Sequence, residues 1–159
     1  MKIKSILDED FVNYKVPSMY IAFPFCSFKC EKDCGMQCCQ NSTLAKSKII
    51  ECEDDDLIQR YLRNPITKAI VCCGLEPFDS FDELLTLIQK LRVVYNCNDD
   101  IVIYTGYYKE EILAQIDLLK DYSNIIVKFG RYIPNQPSRK DELLGVVLAS
   151  PNQYAERIS

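Results

Sequence analysis

Between Cys26 and Cys39 the chain places five thiols in fourteen residues, Cys26-Ser-Phe-Lys-Cys30-Glu-Lys-Asp-Cys34-Gly-Met-Gln-Cys38-Cys39, followed by Gln-Asn-Ser. The chain has nine cysteines in all, an odd number that complete disulfide pairing would leave with a thiol over. In a reducing compartment, clustered thiols more often bind metal. There is no histidine, which excludes Ser-His-Asp and Cys-His catalysis and mixed Cys/His zinc sites. Any metal is therefore held mostly by sulfur, which suits zinc or an iron-sulfur cluster. A structural zinc site with four thiolates is the competing reading, but zinc knuckles usually pair their ligands as Cys-x2-Cys, and the loop has no such pair. Three thiolates suffice for a [4Fe-4S] cluster whose fourth iron stays open. Cys52, Cys72, Cys73 and Cys97 lie outside the loop and read as small buried core residues.

The elements that must position this loop follow from the hydrophobic pattern. Ser18 to Phe23 is apolar and aromatic and ends at Pro24, so it reads as a buried strand leading into the cysteines. Pro24 to Thr43 has no apolar period and reads as a long functional loop. The acidic run Glu53 to Asp56 starts a helix through Leu62 that Asn64-Pro65 stops. Lys68 to Cys73 is a second strand, and Ser80 is placed to cap the helix carrying Leu84, Leu87, Ile88 and Leu91. Asp100 to Thr105 is a third strand, Ile112 to Leu119 a third helix, Asn124 to Phe129 a fourth strand, and Leu143 to Ala149 a candidate fifth. Strands separated by amphipathic helices imply parallel pairing, hence an α/β fold with a mostly parallel sheet or partial, open β/α barrel. Ligands in such folds sit at the carboxyl ends of the strands. The cysteine loop, Glu76-Pro77 and Thr105-Gly106 each follow a strand end and are expected to share one face.

These residues together resemble the radical S-adenosylmethionine (SAM) superfamily, and more narrowly its short members, the activating proteins of anaerobic ribonucleotide reductase. The family carries a strand followed by Cys-x3-Cys-x2-Cys, and here Cys26 and Cys30 match the first half. Position 33 is Asp instead of Cys, so the third ligand comes later. Cys39 is the choice because Cys39-Gln-Asn41 resembles the family's Cys-x-Asn sequence, with Cys34 and Cys38 as competitors. Cys73-Gly74-Leu75-Glu76-Pro77 resembles the family's Gly-Gly-Glu-Pro turn, which implies that the Gly74 backbone and the Glu76 carboxylate hold the amino group of SAM. Tyr104-Thr105-Gly106-Tyr107 resembles the activating proteins' Thr-Gly-Tyr sequence, which gives Thr105 to the SAM ribose or carboxylate. Ser150-Pro151-Asn152-Gln153 is similar to their Ser-Ser-Asn-Gln sequence.

The resemblance implies a radical SAM enzyme with a [4Fe-4S] cluster, a flavodoxin-like or ferredoxin-like electron donor, and a glycyl radical enzyme as partner. Other peptides, nucleotides or small molecules are alternative targets, and a non-enzymatic zinc or iron-sulfur module is the reading from a different class. A length of 159 residues fits one domain, residues 1–159. The net charge of -4 argues against a duplex nucleic-acid binder. No apolar stretch approaches a membrane span, and a cytoplasmic protein is expected.

Overall fold

The computed structural model describes residues 1–159. In chain order the elements are β1 (Lys2–Ile3), β2 (Ser5–Asp10), β3 (Ser18–Phe23), α1 (Lys29–Cys34), α2 (Ser42–Lys46), β4 (Ile50–Glu51) and α3 (Asp54–Arg63). There follow β5 (Ala69–Gly74), a 3-10 turn (Pro77–Ser80), α4 (Phe81–Gln89), a π-helical turn (Lys90–Val94), β6 (Asp100–Tyr104) and a second 3-10 turn (Lys109–Glu111). The chain ends with α5 (Leu113–Leu119), β7 (Ile125–Phe129), β8 (Arg139–Asp141), β9 (Val146–Leu148) and β10 (Tyr154–Arg157).

Six strands form one open sheet in the order β10-β7-β6-β5-β3-β2. The central pairs β3/β5, β5/β6 and β6/β7 are parallel, as helix-bearing crossovers require, while β2 and β10 close the two edges antiparallel. Both edge strands were invisible to the hydrophobic pattern, because their exposed sides carry charge, as in Leu7-Asp8-Glu9 and Glu156-Arg157. The expected fifth strand is partly corrected: only Val146–Leu148 is extended, and it pairs with β8 in a separate two-stranded hairpin. The 24–43 loop is also corrected, since it contains α1 and the start of α2. Ser80 stands at the start of α4, yet its hydroxyl makes no cap bond.

Strand alternation builds two cores. Met19, Ile21, Phe23, Ile70, Cys72, Ile101, Ile103, Ile125, Val127 and Phe129 face the helices and pack with Leu57, Ile58, Leu84, Ile88 and Ile116. The opposite residues Val71, Cys73, Val102 and Ile126 meet Tyr14, Leu144 and Leu148 from the connecting segments in a smaller cluster. Truncating one of the fully buried aliphatics, such as Leu84 or Ile101, to Ala would cost roughly 2–5 kcal/mol. No helix is long and apolar enough to cross a membrane.

Candidate iron-sulfur and ligand site

The four parallel strands end on one edge, at Phe23, Gly74, Tyr104 and Phe129. The side chains that follow them converge there. A cavity of about 580 Å³ is lined by Cys26, Cys30, Cys38 and Cys39 from the cysteine segment, Gly74 at the end of β5, Glu76 just after it, and Thr105 and Gly106 after β6. Its volume lies within the roughly 300–1,000 Å³ usual for small-molecule sites. The cavity continues over the helix-free face of the sheet, where Tyr20, Cys73, Tyr104 and Lys128 form the floor. All six residues assigned from sequence, Cys26, Cys30, Cys39, Gly74, Glu76 and Thr105, therefore line one space.

The cysteine segment is tied to the sheet at several points. Glu76 N–H donates to Phe25 O at 2.8 Å, Ser27 N–H donates to Asp79 Oδ2 at 2.5 Å, and Asn41 Nδ2 donates to Gly74 O at 2.6 Å. The Asn of the Cys-x-Asn sequence thus fixes the stretch after Cys39 to the end of β5. Gly74 has φ +91, and a Cβ there would lie 2.7 Å from Ala22 Cα, so the close approach of β5 to β3 requires glycine. Helix α1 is held from outside by Lys29 on Glu111 (3.2 Å) and by Asp33, whose Oδ2 lies 2.9 Å from Arg131 Nε. Arg131 also donates to Glu111 at 2.6 Å, and its guanidinium lies over the Tyr108 ring. Position 33, where the family motif has cysteine, thus carries an ion pair to the residue just beyond β7.

Glu76 is buried, and its carboxylate takes three hydrogen bonds. Oε1 accepts from Thr105 Oγ1 (2.8 Å) and Phe78 N–H (3.2 Å), and Oε2 accepts from Gly106 N–H (2.8 Å). Burial raises its carboxyl to about 7 against these three donors. Thr105 is thus a positioning residue: its hydroxyl is spent on Glu76, and through its Oγ1 it also accepts from Tyr107 N–H at 3.0 Å. Lys128, missed in the sequence, donates to Gly130 O at 2.9 Å and has no carboxylate in ion-pair contact. Burial lowers its ammonium to about 8, opposed by the charges of Glu76, Cys30 and Cys73. The signal that could have found it is the one charged residue inside the apolar run Ile125-Ile-Val-Lys-Phe129.

The Ser150-Pro-Asn-Gln153 sequence gains a structural role. Gln153 Oε1 accepts from Ala149 N–H at 3.0 Å and Ser150 N–H at 3.2 Å, while Asn152 Nδ2 donates to Arg131 O at 2.8 Å. This turn clamps the chain leaving β7 and so supports Lys128 and Arg131 beside the cavity.

The thiols offer an all-sulfur donor set of the kind that iron-sulfur clusters take. All nine cysteines are free thiols, and five of them line the cavity: Cys26, Cys30, Cys38 and Cys39 from the cysteine segment and Cys73 from β5. No three Cys, Asp or Glu side chains converge on one point closely enough to hold a single metal ion. Burial pushes Cys26 up to about 12 and raises Cys30, so loading must displace their protons. Cys52 and Cys97 pack against the helix-side core, and Cys72 is fully buried within it.

A family model described as a 4Fe-4S single cluster domain matches residues 19–153, which is most of the chain. The protein belongs to this family, which is found in radical SAM-related proteins. No curated protein and no solved structure gives a significant match to the chain.

Proposed function

We propose that this protein is a radical SAM enzyme with an open, partial β/α barrel, which holds its [4Fe-4S] cluster on Cys26, Cys30 and Cys39. It reductively cleaves SAM to methionine and a 5'-deoxyadenosyl radical that abstracts hydrogen from a glycyl radical enzyme. The observation that carries this reading is the shared cavity: Cys26, Cys30 and Cys39 line one space with Glu76 at the carboxyl ends of the parallel strands. When bound, a reduced cluster with one iron free of thiolate supplies a chelation point for the amino and carboxylate groups of SAM and an electron for its sulfonium.

The chain's own residues do the rest. Glu76, aimed by Thr105, Gly106 and Phe78, accepts a hydrogen bond from the SAM ammonium. Lys128 lines the same cavity with no ion-pair partner, which suits an anionic group of the ligand. Tyr20 and Tyr104 give a wall for the apolar parts of the ligand. The mouth carries Val12 and Val147, which are 74% and 65% exposed. These side chains suit a large protein partner that closes the cavity and excludes water. A flavodoxin-like or ferredoxin-like protein supplies the electron.

The test is anaerobic reconstitution, reduction with SAM present, and chromatography. The reading predicts 5'-deoxyadenosine in wild type and its loss in Cys30→Ala. A reconstituted protein that leaves SAM intact would overturn it.

A further inference from the structure

Two of the five clustered thiols have no place in a three-thiolate set, and they face each other. Cys34 Sγ and Cys38 Sγ lie 3.0 Å apart. Cys34 is the last residue of α1, and Gly35 at φ +68 reverses the chain, so the next residues return Cys38 to the helix end. Cys34 Sγ also lies 3.3 Å from Met36 O. Cys34 is the one thiol of the segment that does not line the cavity, whereas Cys38 does so beside Cys39. Neither is fully buried, so a small solute can reach them.

We propose that Cys34 and Cys38 form a dithiol modification site, which a low-molecular-weight disulfide oxidises to an intrachain disulfide while Cys26, Cys30 and Cys39 keep the cluster. This rests on the three-thiolate reading given above. In the first step one thiolate of the pair attacks a sulfur of the oxidant, forming a mixed disulfide and releasing one thiolate of the oxidant. The second thiol then loses its proton and displaces the remaining half of the oxidant. Two protein thiols thereby give up two protons and two electrons, and one small disulfide becomes two small thiols. The new bond locks the turn that precedes Cys39. It also removes Cys38 as a rival ligand for the iron that must stay free of thiolate.

The experiment exposes the reconstituted full chain to glutathione disulfide without oxygen, then measures iron, alkylates, digests and maps the peptides by mass spectrometry. A Cys34–Cys38 crosslink, with the intact mass lower by two hydrogen atoms and iron unchanged, is the expected result. Cys34→Ser should retain iron, give no crosslink and carry a glutathione adduct on Cys38. Free alkylation of both thiols in the treated wild type would overturn the proposal, as would release of iron when Cys38 is oxidised. A chain that takes up no iron at all sinks the proposed function instead. The metal-free chain then decides the dithiol: a dominant Cys34–Cys38 bond supports it, and scrambled pairing refutes it.

Discussion

Thr105 donates a hydrogen bond from its hydroxyl to Glu76 Oε1 over 2.8 Å, so the residue that follows β6 orients the carboxylate that follows β5. The segments leaving two neighbouring strands thereby meet at one carboxylate. Thr105→Val removes a charge-assisted bond and leaves two N–H donors on Glu76. SAM affinity is expected to fall by about ten-fold, with the iron content unchanged, and Thr105→Ser should restore it. Calorimetric titration checks this. Equal affinity in the Val variant would separate Thr105 from ligand binding.

Burial raises the Glu76 carboxyl to about 7 from the ordinary 4.5, with Asp79 adding to the shift and Gly106, Thr105 and Phe78 opposing it. The folded state then holds this proton more tightly than the unfolded state. Its contribution to stability is fully present below about pH 4.5 and is lost as pH rises through about 7. In metal-free protein, the stability of wild type minus that of Glu76→Gln should drop on the order of 2 kcal/mol between pH 5 and pH 8. Urea unfolding at both pH values measures it, and a difference independent of pH would contradict the assigned shift.

Cys30 and Cys97 separate ligand from packing. Cys30→Ala should abolish cluster retention, because the iron corner is left to water. Cys97 is only partly buried and packs against the helix-side core, so Cys97→Ala should keep full iron and sulfide and cost about 1 kcal/mol in folding. Stoichiometric cluster in the Cys30 variant would refute the ligand assignment.

The anchor outside α1 is unequal in its two halves. The Arg131 side chain is 6% exposed, whereas that of Asp33 is 59% exposed. Arg131→Met strips charge partners from both Asp33 and Glu111 and is expected to cost about 2–4 kcal/mol. Asp33→Asn should cost under about 1 kcal/mol, as exposed ion pairs do. Urea unfolding of the metal-free proteins compares them, and equal costs would mean that Asp33 is held more tightly than its exposure suggests.

The parallel centre of the sheet was legible because buried strands write themselves as apolar runs, and Ser18–Phe23 was bounded by Pro24. Strands β2 and β10 were not legible, since an edge strand with one wet face resembles a charged loop. Helix α1 escaped because Lys29 to Cys34 carries no apolar stripe and buries no residue. Its one trace was the four-residue step through Cys26, Cys30, Cys34 and Cys38, a helical spacing read only as ligand spacing. The six residues assigned by motif resemblance line one cavity because each lies at or beyond the carboxyl end of a parallel strand. Lys128 and Arg131 were missed because their meaning depends on what the fold sets across from them, namely Glu76 in one case and Asp33 with Glu111 in the other.

The central claim is that three side chains hold the cluster and one iron is left for SAM. Electron paramagnetic resonance of the reduced, reconstituted protein, recorded with and without SAM and paired with iron, sulfide and zinc analysis, tests this most directly. The account predicts four irons and four sulfides per chain and a signal that shifts when SAM is added. A zinc-loaded chain without sulfide, or a cluster signal indifferent to SAM, would contradict it.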